Sequence, residues 1–419
     1  MNIAIFNAHE SDVRRYGRTF PVLLDSAAGP RVFDVTGRGY LDFILGSGAL
    51  NYGHNHPAIK SALQEYLARD SILLSLDMYT EAKARFISEM VTGILGPRSF
   101  DYKIQFPGPT GTNANEAAMA LVRKVTGRPT IFAFSNSFHG MSLGSLCVSG
   151  SESTRDLGGI AKHDVVRLPY DGFISPDFPS QDYLECIVTK PGAGVDLPAA
   201  IILETIQAEG GLNTASVSFL RSVERICREN GILLIVDDIQ AGSGRTGSFF
   251  SFEEAGITPD IVTLSKSLSG LGIPLSVVLI RPEFDIWKPG EHSGTFRGNN
   301  MAFVTGAAAL SLWRDDGFLD QVSWLTLEMD TRLDQLCKAF PDHITSRKGR
   351  GLMCGVEVAP SINARDVIAS AFARGLILES SGPDRQVLKV FAPLTIEKEA
   401  LDDAFGILTE SFEEVIHEG

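Results

Sequence analysis

The chain has 419 residues, 44% hydrophobic and 21% charged, a composition typical of a soluble protein with room for one large domain and a smaller one. A formal net charge of -14, without any block of Lys or Arg, tells against a nucleic-acid backbone as partner, so any anionic ligand must be held by a local pocket. Five scattered cysteines without a Cys-x-x-Cys pair exclude a zinc knuckle or disulfide framework and read mostly as buried apolar thiols; no metal is expected. The N-terminus lacks a signal-peptide pattern and no apolar run approaches a membrane span, which makes the cytoplasm the default location.

In chain order, residues 1–50 read as an N-terminal segment packing with a small domain, 51–305 as a large domain and 306–419 as the small C-terminal domain. Apolar runs of strand length lie at 103–106, 130–134, 199–203, 232–236, 261–264 and 275–280. Between them run helical patterns such as 219–230, where Leu220, Val223, Ile226 and Cys227 share one face. This alternation predicts an α/β fold, a large, mostly parallel sheet flanked by helices. From about 305 to 340 the pattern predicts one long helix, followed by short strands at 355–358 and 387–390, a smaller α+β lobe. Pro/Gly-rich stretches at 168–180 and 190–198 read as surface loops.

The chemistry-bearing residues cluster after these strands. In open α/β sheets ligands gather at the carboxyl ends of strands, and the run 231–236 ends there with Asp237, Asp238, Ile239 and Gln240. Strand alternation lets one aspartate face inward while the other supports it. A carboxylate about 4 Å from a pyridinium gains about 4 kcal/mol at an effective dielectric of ~20, or roughly three pKa units. Lys266, in Thr-Leu-Ser-Lys-Ser-Leu-Ser-Gly at 263–270, follows another strand and could hold an aldehyde as a Schiff base. Together these residues suggest pyridoxal 5'-phosphate. Alone, either would be ordinary: an aspartate capping a turn, a lysine in solvent. The Gly/Thr turn at 107–113 opens a helical run, where exposed amides near Thr110 and Thr112 suit a phosphate, although helix capping explains that turn equally well. At 242–247 the letters fit the dinucleotide template GxGxxG, but residues 248–252 lack the helical pattern this fingerprint requires.

With these pieces in place, the chain resembles the class III aminotransferases among the fold type I pyridoxal phosphate enzymes, most closely their diaminobutyrate-forming branch. The resemblance runs over nearly the whole length: Glu10 to Pro21, Ala49 to His54, Pro107 to Asn113, Ser137 to Met141, Glu204 to Gly210, Val236 to Gly247, Thr263 to Gly270 and Gly294 to Asn300. It implies that Lys266 carries the cofactor, Asp237 pairs with its pyridine nitrogen, Gln240 reaches the ring hydroxyl and Phe138 stacks on the ring. Gly111 and Thr112 would hold the phosphate, with Thr295 supplied by the neighbouring subunit of a homodimer or dimer of dimers.

The implied reaction is transamination between L-glutamate and L-aspartate 4-semialdehyde, giving L-2,4-diaminobutyrate and 2-oxoglutarate, with ectoine synthesis as the expected pathway. Two departures bear on substrate choice. Relatives acting on ornithine, acetylornithine or 4-aminobutyrate usually place an arginine where this chain has Met141, and a thioether cannot pair with a carboxylate. The family's switch glutamate, matching Glu209, usually meets a late arginine, where Lys389 stands here without the planar two-pronged contact. Arg297 is an alternative carboxylate anchor. Rival readings are another ω-aminotransferase, a diaminobutyrate-forming enzyme of siderophore or antibiotic synthesis, and an aminomutase on the same scaffold.

Overall fold

The structure, a computed structural model, describes residues 3–151 and 163–418. Its centre is a seven-stranded sheet built from β1 (Lys103–Gln105), β2 (Ile131–Phe134), β3 (Val165–Leu168), β4 (Ala200–Leu203), β5 (Leu233–Asp237), β6 (Ile261–Leu264) and β7 (Val277–Ile280), in the order β1-β7-β6-β5-β4-β2-β3. β3 to β6 and β2 pair in parallel, whereas β7 runs antiparallel to both its neighbours. Every residue of β2, β4, β5, β6 and β7 is buried. Such unbroken apolar strands are stable only with both faces covered. One cover is α1 (Gly111–Thr126), whose buried Ala114, Ala117 and Ala118 let its backbone approach the sheet closely. Another is α2 (Val217–Asn230), capped by the Ser216 hydroxyl accepting from the Phe219 N–H at 3.2 Å and closed by Gly231 at φ 60°. Its buried stripe is Phe219, Leu220, Val223, Ile226 and Cys227.

The structure adds one strand and corrects one expectation. Val165–Leu168 forms the edge strand β3, and its half-buried Val-Val-Arg carries too weak an apolar signal to stand out. The helix expected over 305–340 is two, α3 (Asn300–Ser311) and α4 (Asp316–Ala339), separated by a short 3-10 turn, Leu312–Arg314. Asp315 starts α4 by accepting the Phe318 N–H at 2.9 Å, and a capping carboxylate there interrupts a periodicity that otherwise runs on. The cysteines also depart from expectation: Cys227 and Cys354 are buried, whereas Cys147, Cys186 and Cys337 are half-buried.

The C-terminal lobe holds an antiparallel sheet of β8 (Ile344–Arg350), β9 (Met353–Val358), β10 (Glu379–Ser381) and β11 (Val387–Val390), in the order β8-β9-β11-β10. The N-terminal strands Leu24–Ala28, Arg31–Asp34 and Gly39–Asp42 form a third sheet, completed by Leu376–Ile377 lying parallel to Gly39–Asp42. Residues 242–247 form turns between the lobes and no helix follows them. There Arg245, fully buried, donates to Asn51 Oδ1 and to the carbonyls of Leu352 and Ala392. Among the described residues no helix is long and apolar enough to cross a membrane.

Candidate active site

Parallel β2, β4, β5 and β6 end on the same edge, and the loops leaving them carry Phe138 and His139, Glu204 and Glu209, Asp237 and Gln240, and Lys266. Lys266 sits in the left-handed region at φ 48°, a costly conformation for a side-chain-bearing residue. Its Nζ donates to the Ser47 carbonyl at 2.9 Å, and Gln240 Nε2 donates to the same oxygen at 2.7 Å. That carbonyl belongs to a left-handed run, with φ of 51°, 60°, 57° and 80° at Leu45, Gly46, Ser47 and Gly48. Burial lowers the Lys266 ammonium to about 8, Glu209 opposing the shift and Lys389 adding to it.

Asp237 ends β5 and is 5% exposed. Its Oδ2 meets Asn115 Nδ2 at 2.8 Å and His139 Nδ1 at 2.7 Å, while Oδ1 accepts one long bond from the Ile239 N–H at 3.2 Å. Asn115 is in turn fixed by the Thr263 hydroxyl at 2.9 Å, so the carboxylate is clamped through one oxygen and the other keeps acceptor capacity. Asp238 faces the opposite way and accepts the Ser251 N–H at 3.1 Å; burial raises its carboxyl to about 7. Phe138 is half-buried, and its N–H donates to Glu204 Oε2 at 2.9 Å. Burial, followed by the charge of Asp237, pushes Glu204 well above the usual carboxylate range.

The helix start at Thr110 closes a capping box with Asn113, leaving Gly111 and Thr112 in the first turn of α1. A Cβ on Gly111 would stand 2.8 Å from Ile239 Cδ1, so the turn lies hard against the loop after Asp237. Thr112 Oγ1 bonds Ser142 Oγ at 2.5 Å, and Ser142 Oγ donates to Glu116 Oε1 at 2.6 Å. These groups suit pyridoxal phosphate: a buried amine of lowered pKa, a clamped carboxylate with a spare lone pair, and a helix N-terminus crowded against the same loop.

Lys389 is fully buried on β11, with Nζ 2.8 Å from Glu209 Oε1 and 2.7 Å from Glu379 Oε1. Burial pushes the Lys389 ammonium down, but the two carboxylates outweigh it and hold the group above its ordinary value. Burial likewise pushes Glu209 up, and Lys389 reverses that shift, bringing it down to about 2. The Tyr16 hydroxyl donates to Glu379 Oε2 at 2.6 Å, extending the chain to the N-terminal segment. The structure thus joins Lys266 to Gln240 through the Ser47 carbonyl, and Glu209 to Lys389, with Asp237 clamped separately by Asn115 and His139. Thr295 and Arg297 have no part in these contacts and lie on a 3-10 turn, Thr295–Gly298, where Thr295 is exposed, Phe296 is 60% exposed and Arg297 donates to the His292 carbonyl at 2.7 Å. Met141 is exposed. Sequence reasoning gave no role to Ser47, Asn115, His139, Glu204, Tyr16 or Glu379, although Tyr16, His139 and Glu204 stand in stretches that carry the resemblance.

The sequence profile described as Aminotransferase class-III matches residues 13–412. A diaminobutyrate–2-oxoglutarate transaminase of Halalkalibacterium halodurans is 50% identical over 412 residues, 98% of this chain and 96% of the relative. One from Wolinella succinogenes is 49% identical over 414 residues, 99% and 97% of the two chains. The ornithine aminotransferase of Toxoplasma gondii ME49 matches with a TM-score of 0.86 and 26% identity, covering 100% of this chain and 95% of that one. An S-selective transaminase from Arthrobacter sp., 21% identical with a TM-score of 0.87, shares the fold over 98% of this chain and 97% of its own.

Proposed function

Because the chain belongs to the class III aminotransferases, fold type I enzymes that use pyridoxal 5'-phosphate, we propose that it moves an amino group from L-glutamate to L-aspartate 4-semialdehyde, giving L-2,4-diaminobutyrate and 2-oxoglutarate. Identity near 50% over almost the whole length of transaminases bearing that name carries the substrate reading. When bound, the cofactor stores the electron pair released at the substrate carbon and carries nitrogen between the half-reactions. Lys266 is the group to hold the cofactor and then move a proton at the substrate carbon, for which an amine titrating near neutrality is suited. Asp237, clamped by Asn115 and His139, would keep a proton on the ring nitrogen. Phe138 would cover the ring face, Gln240 reach the ring hydroxyl, and Gly111 and Thr112 hold the phosphate.

Lys389 is already held by two carboxylates, so it acts as the counter-charge that keeps Glu209 ionised rather than as an open anchor for 2-oxoglutarate. We assign Thr295, and Arg297 beside it, to the active site of a second copy, a reading supported by the exposed Phe296 on the same turn and by the exposed Ile72, Leu74, Leu76, Met78 and Tyr79. Ectoine synthesis in the cytoplasm remains the pathway and place we infer.

An amino-donor panel with 2-oxoglutarate tests the substrate: 2,4-diaminobutyrate should exceed ornithine, 4-aminobutyrate and β-alanine, and a preference for ornithine would overturn it. Lys266→Ala should abolish turnover, and appreciable steady-state transamination by that variant would remove Lys266 from its role.

A further inference from the structure

The ion pair at Lys389 is unequal. One ammonium meets two carboxylates, Glu209 and Glu379, and Glu379 is nearly sealed, its side chain 2% exposed. The second oxygen of Glu379 meets a neutral donor, the Tyr16 hydroxyl, so this corner holds one more negative charge than its hydrogen-bonded partners cancel. Such a charge is costly to bury unless something positive stands nearby, and two guanidiniums share the cavity that Glu379 lines.

Tyr16 and Glu379 line a cavity of about 400 Å³ with Arg15 and Arg385. Among the described residues neither guanidinium forms an ion pair within 4 Å; their hydrogen bonds run to the Ser380 carbonyl, at 3.5 and 3.3 Å. Arg385 is held at φ 58°, a strained backbone for a residue with a side chain. Burial and the neighbouring charge of Arg15 lower its pKa, with Glu209, Tyr16 and Glu379 opposing the shift. Lys389 ties Glu379, at 2.7 Å, to Glu209, at 2.8 Å, so the wall of this cavity adjoins the Glu209 corner of the candidate active site.

We propose that Glu379, with Arg15 and Arg385 across the cavity, is a zwitterion-reading subsite that grips the α-ammonium and α-carboxylate of the substrate whose far nitrogen reacts at Lys266. This rests on the diaminobutyrate reading above. Diaminobutyrate and aspartate semialdehyde present both charges at the end away from the reacting group, whereas glutamate presents a carboxylate alone. The arginines therefore serve both half-reactions and Glu379 serves one, with Tyr16 positioning its carboxylate.

The test follows the cofactor's absorbance in single-turnover half-reactions of holoenzyme with 2,4-diaminobutyrate, 4-aminobutyrate, which lacks only the α-ammonium, and glutamate. For Glu379→Gln the loss in kcat/KM with diaminobutyrate should exceed the losses with the other two donors at least tenfold and lie mainly in KM. Tyr16→Phe, a gentler change should the first variant fold poorly, should give a loss about threefold greater with diaminobutyrate than with the others. Equal losses with all three donors, or none, would overturn the subsite. Wild-type enzyme that accepts glutamate and refuses diaminobutyrate would instead overturn the substrate reading, whatever the variants do.

Discussion

The amine of Lys266 gives up its proton near pH 8 because burial strips it of water, and only the neutral amine attacks an aldehyde. Cofactor-stripped protein should therefore recapture pyridoxal phosphate at a rate that rises with pH and levels off just above 8. A rise continuing to the ordinary lysine value near 10.5 would contradict this. Asp238 titrates in the opposite sense. Its folded pKa, about 7, lies above the unfolded value of 3.8, chiefly through burial. Between those values the folded chain binds more protons than the unfolded one, so the stability this group contributes is present below about 4 and lost as pH rises through 7. Asp238→Asn keeps an acceptor for the Ser251 N–H and removes the charge. It should raise the melting temperature at pH 8 relative to wild type, on the order of 1–3 kcal/mol in stability, with no gain at pH 4. Equal shifts at both pH values would mean that the Asp238 carboxyl has the same pKa in the folded and the unfolded chain.

At the scale of elements, the proposed phosphate cradle depends on how the loop after β2 meets the first turn of α1. Gly140 has φ 123°, and a Cβ there would stand 2.5 Å from Thr112 Oγ1. Gly140→Ala should push Thr112 off Ser142 and weaken cofactor retention about tenfold or more, read by fluorescence titration, while far-ultraviolet circular dichroism stays unchanged. Unaltered retention would show that the Thr112–Ser142 contact plays no part in holding the phosphate. Six strands of the large sheet, all but the edge strand β3, were legible as near-continuous apolar runs, and their observed ends fall within two residues of those expected. The Gly/Thr turn that opens α1 and the residues following β5 and β6 were legible because short motifs carry them. What was illegible depends on distant partners. Glu379 meets Lys389 across a strand pair and Tyr16 from 363 residues away, and the left-handed run at 45–48 has meaning only once its carbonyl meets Lys266. The break before α4 was hidden for a different reason, since apolar spacing continues through it and only Asp315 marks the stop.

The whole molecule exposes an apolar face that a solitary chain would be expected to cover. Ile72, Leu74, Leu76 and Met78 are 60%, 42%, 46% and 61% exposed, and Tyr79 is fully so. They join the 295–298 turn directly: Ser75 N–H donates to the Gly298 carbonyl at 3.0 Å, and Leu74 bridges to Asn299. Thr295 therefore rides on the same face, and covering that face with a second copy would carry Thr295 toward a neighbouring site. A formal charge of -14 on each chain would make copies repel at long range, so in the proposed dimer apolar burial here would have to supply the attraction. Ile72→Asp with Met78→Asp places two charges in the seam, each costing roughly 2–3 kcal/mol when buried unpaired. The pair should shift association by a factor of several hundred or more, giving monomers by sedimentation that have lost transaminase activity while keeping native circular dichroism. Activity should return as protein concentration is raised and dimers re-form. Monomers of this variant with wild-type turnover would show that each chain completes its own active site.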